Sequence, residues 1–149
     1  MWNLEASKNR DDYYERLKRF FEERIPFNTF LGMTVDKLDD GFARLRVPFF
    51  DKLIGDPERP ALHGGVVSTL ADTAGGIAAY TSVGHGDVLS TVDLRVDYLR
   101  PAALKDLIAE AQVLRTGNRM AVCDITVFQD APHQRVATGK GVYNVKRAK

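Results

Sequence analysis

Residues 62–76 read LHGGVVSTLADTAGG, and this stretch decides how the rest of the chain is organised. From Val66 to Val83 the apolar positions Val66, Leu70, Ala74, Ile77 and Ala78, with Thr81, fall along one helical face and predict a buried helix. Gly75 and Gly76 each cost roughly 1 kcal/mol inside a helix, so close packing against neighbouring backbone is the expected compensation. Small residues along such a helix let a sheet wrap it tightly. Two consecutive glycines at the helix start leave backbone N–H groups uncovered, and the helix dipole adds positive potential there. That arrangement suits an oxyanion, although an isolated His63-Gly64-Gly65 is also the sequence of a tight turn. Asp72 is the second signal: a carboxylate in an Ala-rich segment is expensive to bury unless it is paired or functional. The competing account turns Asp72 to solvent, since position 72 lies off the main apolar face.

Downstream come four alternating runs, Val88 to Leu99, Leu107 to Arg115, Met120 to Phe128 and Arg135 to Val145. Arg100-Pro101, Thr116-Gly117-Asn118 and Asp130-Ala131-Pro132 connect them, and such short links predict antiparallel pairing. Upstream, Val35, Leu38, Phe42, Leu45 and Val47 predict a strand pair about the turn Asp39-Asp40-Gly41. Gly55, Asp56, Pro57 and Pro60 mark residues 51–62 as a loop. Residues 9–24 place Tyr13, Tyr14, Leu17, Phe20 and Phe21 at helical spacing, with Pro26 as the stop. Docking on its own domain is the expected role of this helix, a partner or membrane surface the alternative. The fold class is α+β, one long helix against an antiparallel sheet with an extra N-terminal helix. The expected division is residues 1–26 as a helical extension and 27–149 as the main domain.

The 149 residues carry 44% apolar side chains, enough for a single core. Twenty-one basic and 20 acidic groups nearly cancel, so no strong field would draw nucleic acid or an anionic membrane. Cys123 is the single cysteine, so no intramolecular disulfide forms. It alternates with Ala121 and Ile125 as a small core residue. Met1 to Arg24 lack the apolar run of a signal peptide, and nothing is long enough to span a bilayer. A cytoplasmic location is expected.

HGGVVSTLADTAGG together with TVDLRVDYLRPA, Thr91 to Ala102, resembles the PaaI-like branch of the hotdog thioesterase superfamily over about residues 30 to 146. The resemblance implies a hotdog fold, in which an antiparallel sheet wraps a central helix. It also implies hydrolysis of acyl-coenzyme A and an active unit that is at least a dimer, here a dimer or a dimer of dimers. Carried over by position, the catalytic carboxylate is Asp72, the carbonyl-polarising N–H is Gly64 beside Gly65, and the turn-ordering histidine is His63. A Ser or Thr at the start of the next strand falls on Thr91, with Ser90 adjacent. Strand alternation conflicts with Thr91, because Val92, Leu94, Val96 and Tyr98 would share a face with Ser90. Many relatives carry Asn or Gln six residues before the histidine, where this chain has Pro57, so the water-positioning role has no owner.

The implied chemistry needs no metal or cofactor. Asp72 acts as general base on water or attacks the thioester itself, while the Gly64 N–H holds the oxyanion. His63 is an acid or base, or a turn residue tied to backbone. Arg100 and Arg119 are the candidates for coenzyme A phosphates, against the ordinary role of a solvated arginine. Two rivals stand: a hydroxyacyl-thioester dehydratase, which uses a histidine and an acid at another spacing, and a non-catalytic acyl-CoA sensor. The latter would need a DNA-reading segment, and the N-terminus is too short for one.

Overall fold

The computed structural model describes residues 9–149; the first eight residues of the expected extension lie outside the described residues. The N-terminal helix α1, Arg10–Arg19, starts on the Asn9 cap, whose side chain accepts the Asp12 N–H. It runs on as a π-helical turn over Phe20–Arg24. Pro26 does stop it, yet Pro26 also opens a short helix α2, Pro26–Leu31, that the sequence reading did not foresee. A proline at the first helical position loses no hydrogen bond, so the residue that breaks one helix starts the next. Gly32 ends α2 in the left-handed region at φ 66°. Tyr13, Leu17 and Phe21 lie buried in the same core as the central helix, and the Tyr13 hydroxyl donates to the Tyr80 carbonyl at 3.1 Å. The helix is docked on its own chain.

β1, Thr34–Asp39, and β2, Phe42–Val47, pair antiparallel about Gly41, whose φ of 69° is the left-handed value such a turn requires. The expected loop at 51–62 instead holds a 3₁₀ turn, Asp51–Leu53, and a small ribbon of β3, Ile54–Asp56, with β4, Ala61–Leu62. The central helix α3 spans Gly64–Tyr80, starting two residues earlier and ending three earlier than the apolar pattern suggested. Its last turn closes through Thr81, whose hydroxyl donates to Ala78 and accepts the Gly41 N–H at 2.8 Å.

β5, Val88–Tyr98, β6, Leu107–Thr116, β7, Met120–Phe128, and β8, Arg135–Lys146, match the four alternating runs closely. One sheet of six antiparallel strands results, in the order β1-β2-β6-β7-β8-β5. The short link after β5 does not make a hairpin with β6, as expected from its length. Instead β5 pairs with β8 at one edge and β6 with β2 and β7, so the chain crosses the sheet between them. Breaks in register at Asp36, Val92 and Leu114 bend the strands, and α3 packs against β2, β5, β6, β7 and β8. Leu70, Ala71, Ala74, Ile77 and Ala78 point into the concave side. The opposite side carries charged ladders such as Arg44–Glu110, Arg46–Asp36 and Lys140–Asp124. Among the described residues no helix is long and apolar enough to cross a membrane.

Candidate active site

His63 is the N-cap of α3, with extended backbone at φ −62° and ψ 132°. Its Nδ1 accepts the Gly65 N–H at 2.8 Å. This hydrogen bond removes Gly65 from the list of available donors and leaves the Gly64 N–H without a partner among the described residues. The first N–H groups of a helix have no intrahelical acceptor, so a donor at Gly64 is a consequence of where the helix begins. The Gly64 carbonyl accepts from the Tyr98 hydroxyl at 3.1 Å, tying the turn to the end of β5. A shallow cavity of about 330 Å³ opens beside it, lined by Leu62, Gly64, Val67, Tyr98, Arg100 and Val136 among others.

Asp72 lies two turns further along α3, half-buried. Eight residues at about 1.5 Å rise put it roughly 12 Å from Gly64 along the axis. Its Oδ1 accepts from the Thr91 hydroxyl at 2.9 Å. The break in the β5–β8 register falls between Thr91 and Asp93, and Val92 is the extra residue. The bulge resets strand alternation, so Thr91 and Leu94 face the helix together while Val92 turns out, 58% exposed. The conflict over Thr91 therefore disappears: the expectation that Val92 shares the face of Leu94 is wrong, and Thr91, not Ser90, bonds to the carboxylate. Ser90 still lines the cavity of about 220 Å³ next to Asp72, with Phe21, Asn28, Tyr80, Leu89 and Tyr143. A second cavity, about 350 Å³, reaches Asp72 from the other side between Ile25, Phe27, Asn28, Thr69 and Leu94.

Gly64 and Asp72 thus lie in separate cavities of the same chain. Arg100 joins the Gly64 cavity. Arg119 lies at the far end of the sheet, where its carbonyl accepts the Val145 N–H, and it borders none of these cavities. Pro57 lies exposed in the turn of the small ribbon and lines neither cavity at Asp72. Sequence reasoning missed Asn28, which is 3% exposed, borders both cavities at Asp72 and donates to the Phe21 carbonyl at 3.0 Å. The available signal was an asparagine in the apolar run from Ile25 to Leu31, since a buried amide has to be satisfied there. Cys123 is fully buried with its Sγ 3.3 Å from the Gly75 carbonyl, and burial pushes its thiol up to about 12. No cluster of metal-ligating side chains occurs among the described residues.

A long helix wrapped by one antiparallel sheet of this order defines a class of fold, and the comparisons agree with it. Residues 60–135 match the model of the thioesterase superfamily, and the chain belongs to that superfamily and is a thioester hydrolase. A Halobacterium salinarum protein provisionally named an esterase is 41% identical over 127 residues, 80% of this chain and 83% of that one. The medium/long-chain acyl-CoA thioesterase YigI of Escherichia coli K12 is 31% identical over 74% of this chain and 79% of its own length. The crystal structure of a Shewanella oneidensis protein related to the thioesterase superfamily superposes with a TM-score of 0.84 at 27% identity, covering 95% of this chain and all of that one.

Proposed function

We propose that the chain hydrolyses acyl-coenzyme A at a site shared between two subunits, with Asp72 as the carboxylate of one and Gly64 as the oxyanion donor of the other. The separation of Gly64 and Asp72 within one chain carries this reading. An oxyanion donor must lie about 3 Å from the carbonyl oxygen, and a base or nucleophile must reach the carbonyl carbon. Groups roughly 12 Å apart on one helix cannot do both.

The open edge of the sheet supplies the second chain. β5 is 11 residues long, is hydrogen-bonded on one side only, and exposes Val88, Val92 and Tyr98. A long apolar edge strand is a template for pairing, and soluble proteins cover such edges. Two copies joined antiparallel at β5 across a twofold axis lay their α3 helices side by side in opposite directions. The open face of α3, with Ser68, Thr69, Asp72, Thr73 and Gly76 half-buried, then lies against its copy. Each Gly64 turn approaches the other chain's Asp72, and Arg100 enters with Gly64 to meet coenzyme A phosphate.

In hydrolysis, water attacks the thioester carbon as Asp72 takes its proton, and the oxygen becomes an oxyanion held by the Gly64 N–H. Collapse then breaks the carbon–sulfur bond, and the proton returns from Asp72 to the departing thiolate. Direct attack by Asp72 gives an acyl anhydride that water opens, with the same net balance. Thr91 holds the carboxylate for either route. Phe21, Ile25, Phe27, Leu89 and Leu94 around Asp72 offer an apolar wall for the acyl group. Hydrolysis is favoured over the sensor reading by the free N–H at Gly64 and the tethered acid.

The test mixes two inactive variants, Asp72→Ala and Gly64→Pro, unfolded and refolded together. Gly64 is the first residue of α3 and His63 is already extended, so the backbone accepts proline and loses the donor, while the Tyr98 ring, 3.3 Å from the new Cβ, gives way slightly. Half of the dimers are hybrids with one intact site each, so activity returns to about a quarter of wild type. No recovery, with hybrids confirmed by native mass spectrometry, rejects a shared site.

A further inference from the structure

Asp72 is held at two atoms by two residues that are partners across β5 and β8. Thr91 pairs with Tyr143 in the strand register. The Thr91 hydroxyl donates to the Asp72 carboxylate at 2.9 Å, and the Tyr143 hydroxyl donates to the Asp72 carbonyl at the same distance. Tyr143 is almost fully buried, and burial holds its phenol neutral across the working pH range, so it stays a donor.

The route of the Tyr143 side chain explains two glycines. On β8 the ring leans back along its strand over Gly141, where a Cβ would lie 2.5 Å from the hydroxyl and 2.7 Å from Cε2. The hydroxyl then enters α3 at Gly75, where any Cβ would overlap it outright, with Ile125 Cδ1 a further 3.0 Å neighbour. Gly75 was expected to allow close backbone packing; what it admits is a side-chain hydroxyl. A glycine in mid-helix costs stability, and here that cost accompanies a second donor on a carbonyl that the helix already places opposite the Gly76 N–H. The ring by itself needs clearance at both glycines, its Cε2 lying 2.7 Å from a Cβ at Gly141 and its Cζ 3.0 Å from one at Gly75, so what tyrosine adds over phenylalanine is the hydrogen bond to the Asp72 carbonyl.

We propose that Tyr143 is a positioning residue for hydrolysis: admitted by Gly141 and Gly75, its hydroxyl fixes the Asp72 turn of α3 against the sheet so that the carboxylate meets the thioester. The inference rests on Asp72 being the reacting carboxylate. Thr91 sets the carboxylate's rotamer, and Tyr143 sets the height of its backbone. A small displacement of a reacting group is enough to cost rate without weakening substrate binding.

Tyr143→Phe keeps the ring and removes only the hydroxyl. With octanoyl-CoA as substrate and thiol release as the signal, kcat is expected to fall about tenfold while KM stays within about twofold. The ratio to wild type should be the same at two temperatures well below unfolding, which a loss of folded protein would not give. Gly75→Ala, which pushes the hydroxyl away, should lower kcat by a similar factor. In the Tyr143→Phe background the added loss should be smaller than in wild type, since only the ring Cζ and Ile125 Cδ1, each 3.0 Å from the new Cβ, are left to give way. An unchanged kcat in Tyr143→Phe, a rate loss that tracks melting, or losses that multiply in the double variant overturns the proposal. Asp72→Asn assayed alongside separates the two readings. If it retains turnover, the catalytic assignment itself fails; if it is inactive and Tyr143→Phe is fully active, only the positioning role fails.

Discussion

The two faces of α3 are built from the same 17 residues and obey different rules. Toward the sheet, Val66, Val67, Leu70, Ala71, Ala74, Ile77 and Ala78 are buried within the hydrophobic core. On the other face Ser68, Thr69, Asp72 and Thr73 remain half-buried, and three of them turn their hydroxyls back on their own helix. Ser68 and Thr69 donate to the Gly65 carbonyl and Thr73 to the Thr69 carbonyl. Such back-bonding satisfies the hydroxyls without a partner element. Asp72 alone on that face is held by a different element, through Thr91. The sheet side makes stability, the proposed function assigns the chemistry to the open side, and on that proposal a substitution on one side should leave the other's property nearly intact.

The sharpest way to break that division is Asp72→Asn. It should lower kcat/KM by a factor of hundreds or more, since asparagine keeps the shape but supplies neither base nor nucleophile. Its urea midpoint should stay close to wild type, and a large stability loss would mean that Asp72 belongs to the core after all. The mirror experiment is Leu70→Ala, which opens a cavity beneath the helix and should cost about 2–5 kcal/mol in urea denaturation. Below its midpoint the variant should retain most of its activity per folded molecule.

A smaller effect comes from Asp87, just before β5, which anchors the C-terminal segment. Burial raises its pKa, but the N–H groups of Ala148 and Gly84 and the Arg147 guanidinium outweigh that and hold it below the usual carboxylate range. A carboxylate with a depressed folded pKa contributes stability above its unfolded pKa, about 3.9, and loses it as pH falls through the folded value. Asp87→Asn should therefore cost about 1–3 kcal/mol at neutral pH. The gap to wild type should close in acid, measured as melting temperature against pH. The smallest change belongs to Ser68→Ala, whose hydroxyl serves only its own helix. Its stability should stay within about 0.5 kcal/mol of wild type, and a larger loss by calorimetry would show that the open face carries packing that one chain does not reveal.

The amino-acid sequence alone fixed the central helix and the four strands after it, because periods of 3.6 and 2 are written in the order of apolar residues. The glycine turn and the acid eight residues on were also legible, since a donor and a carboxylate announce themselves by residue type. Other features depended on contacts between distant segments. Nothing local in β5 says that it pairs with β8 instead of β6, and the bulge that turns Thr91 inward exists only in register with Tyr143 and Val142. Asn28 reached Asp72 because Pro26 started a second helix that no apolar period announced. Gly75 read as a flaw in a helix until Tyr143, 68 residues later, was found in the space it leaves. Periodicity reports which side of an element is buried; which atom fills a given gap is decided by packing, and packing is a property of the folded chain.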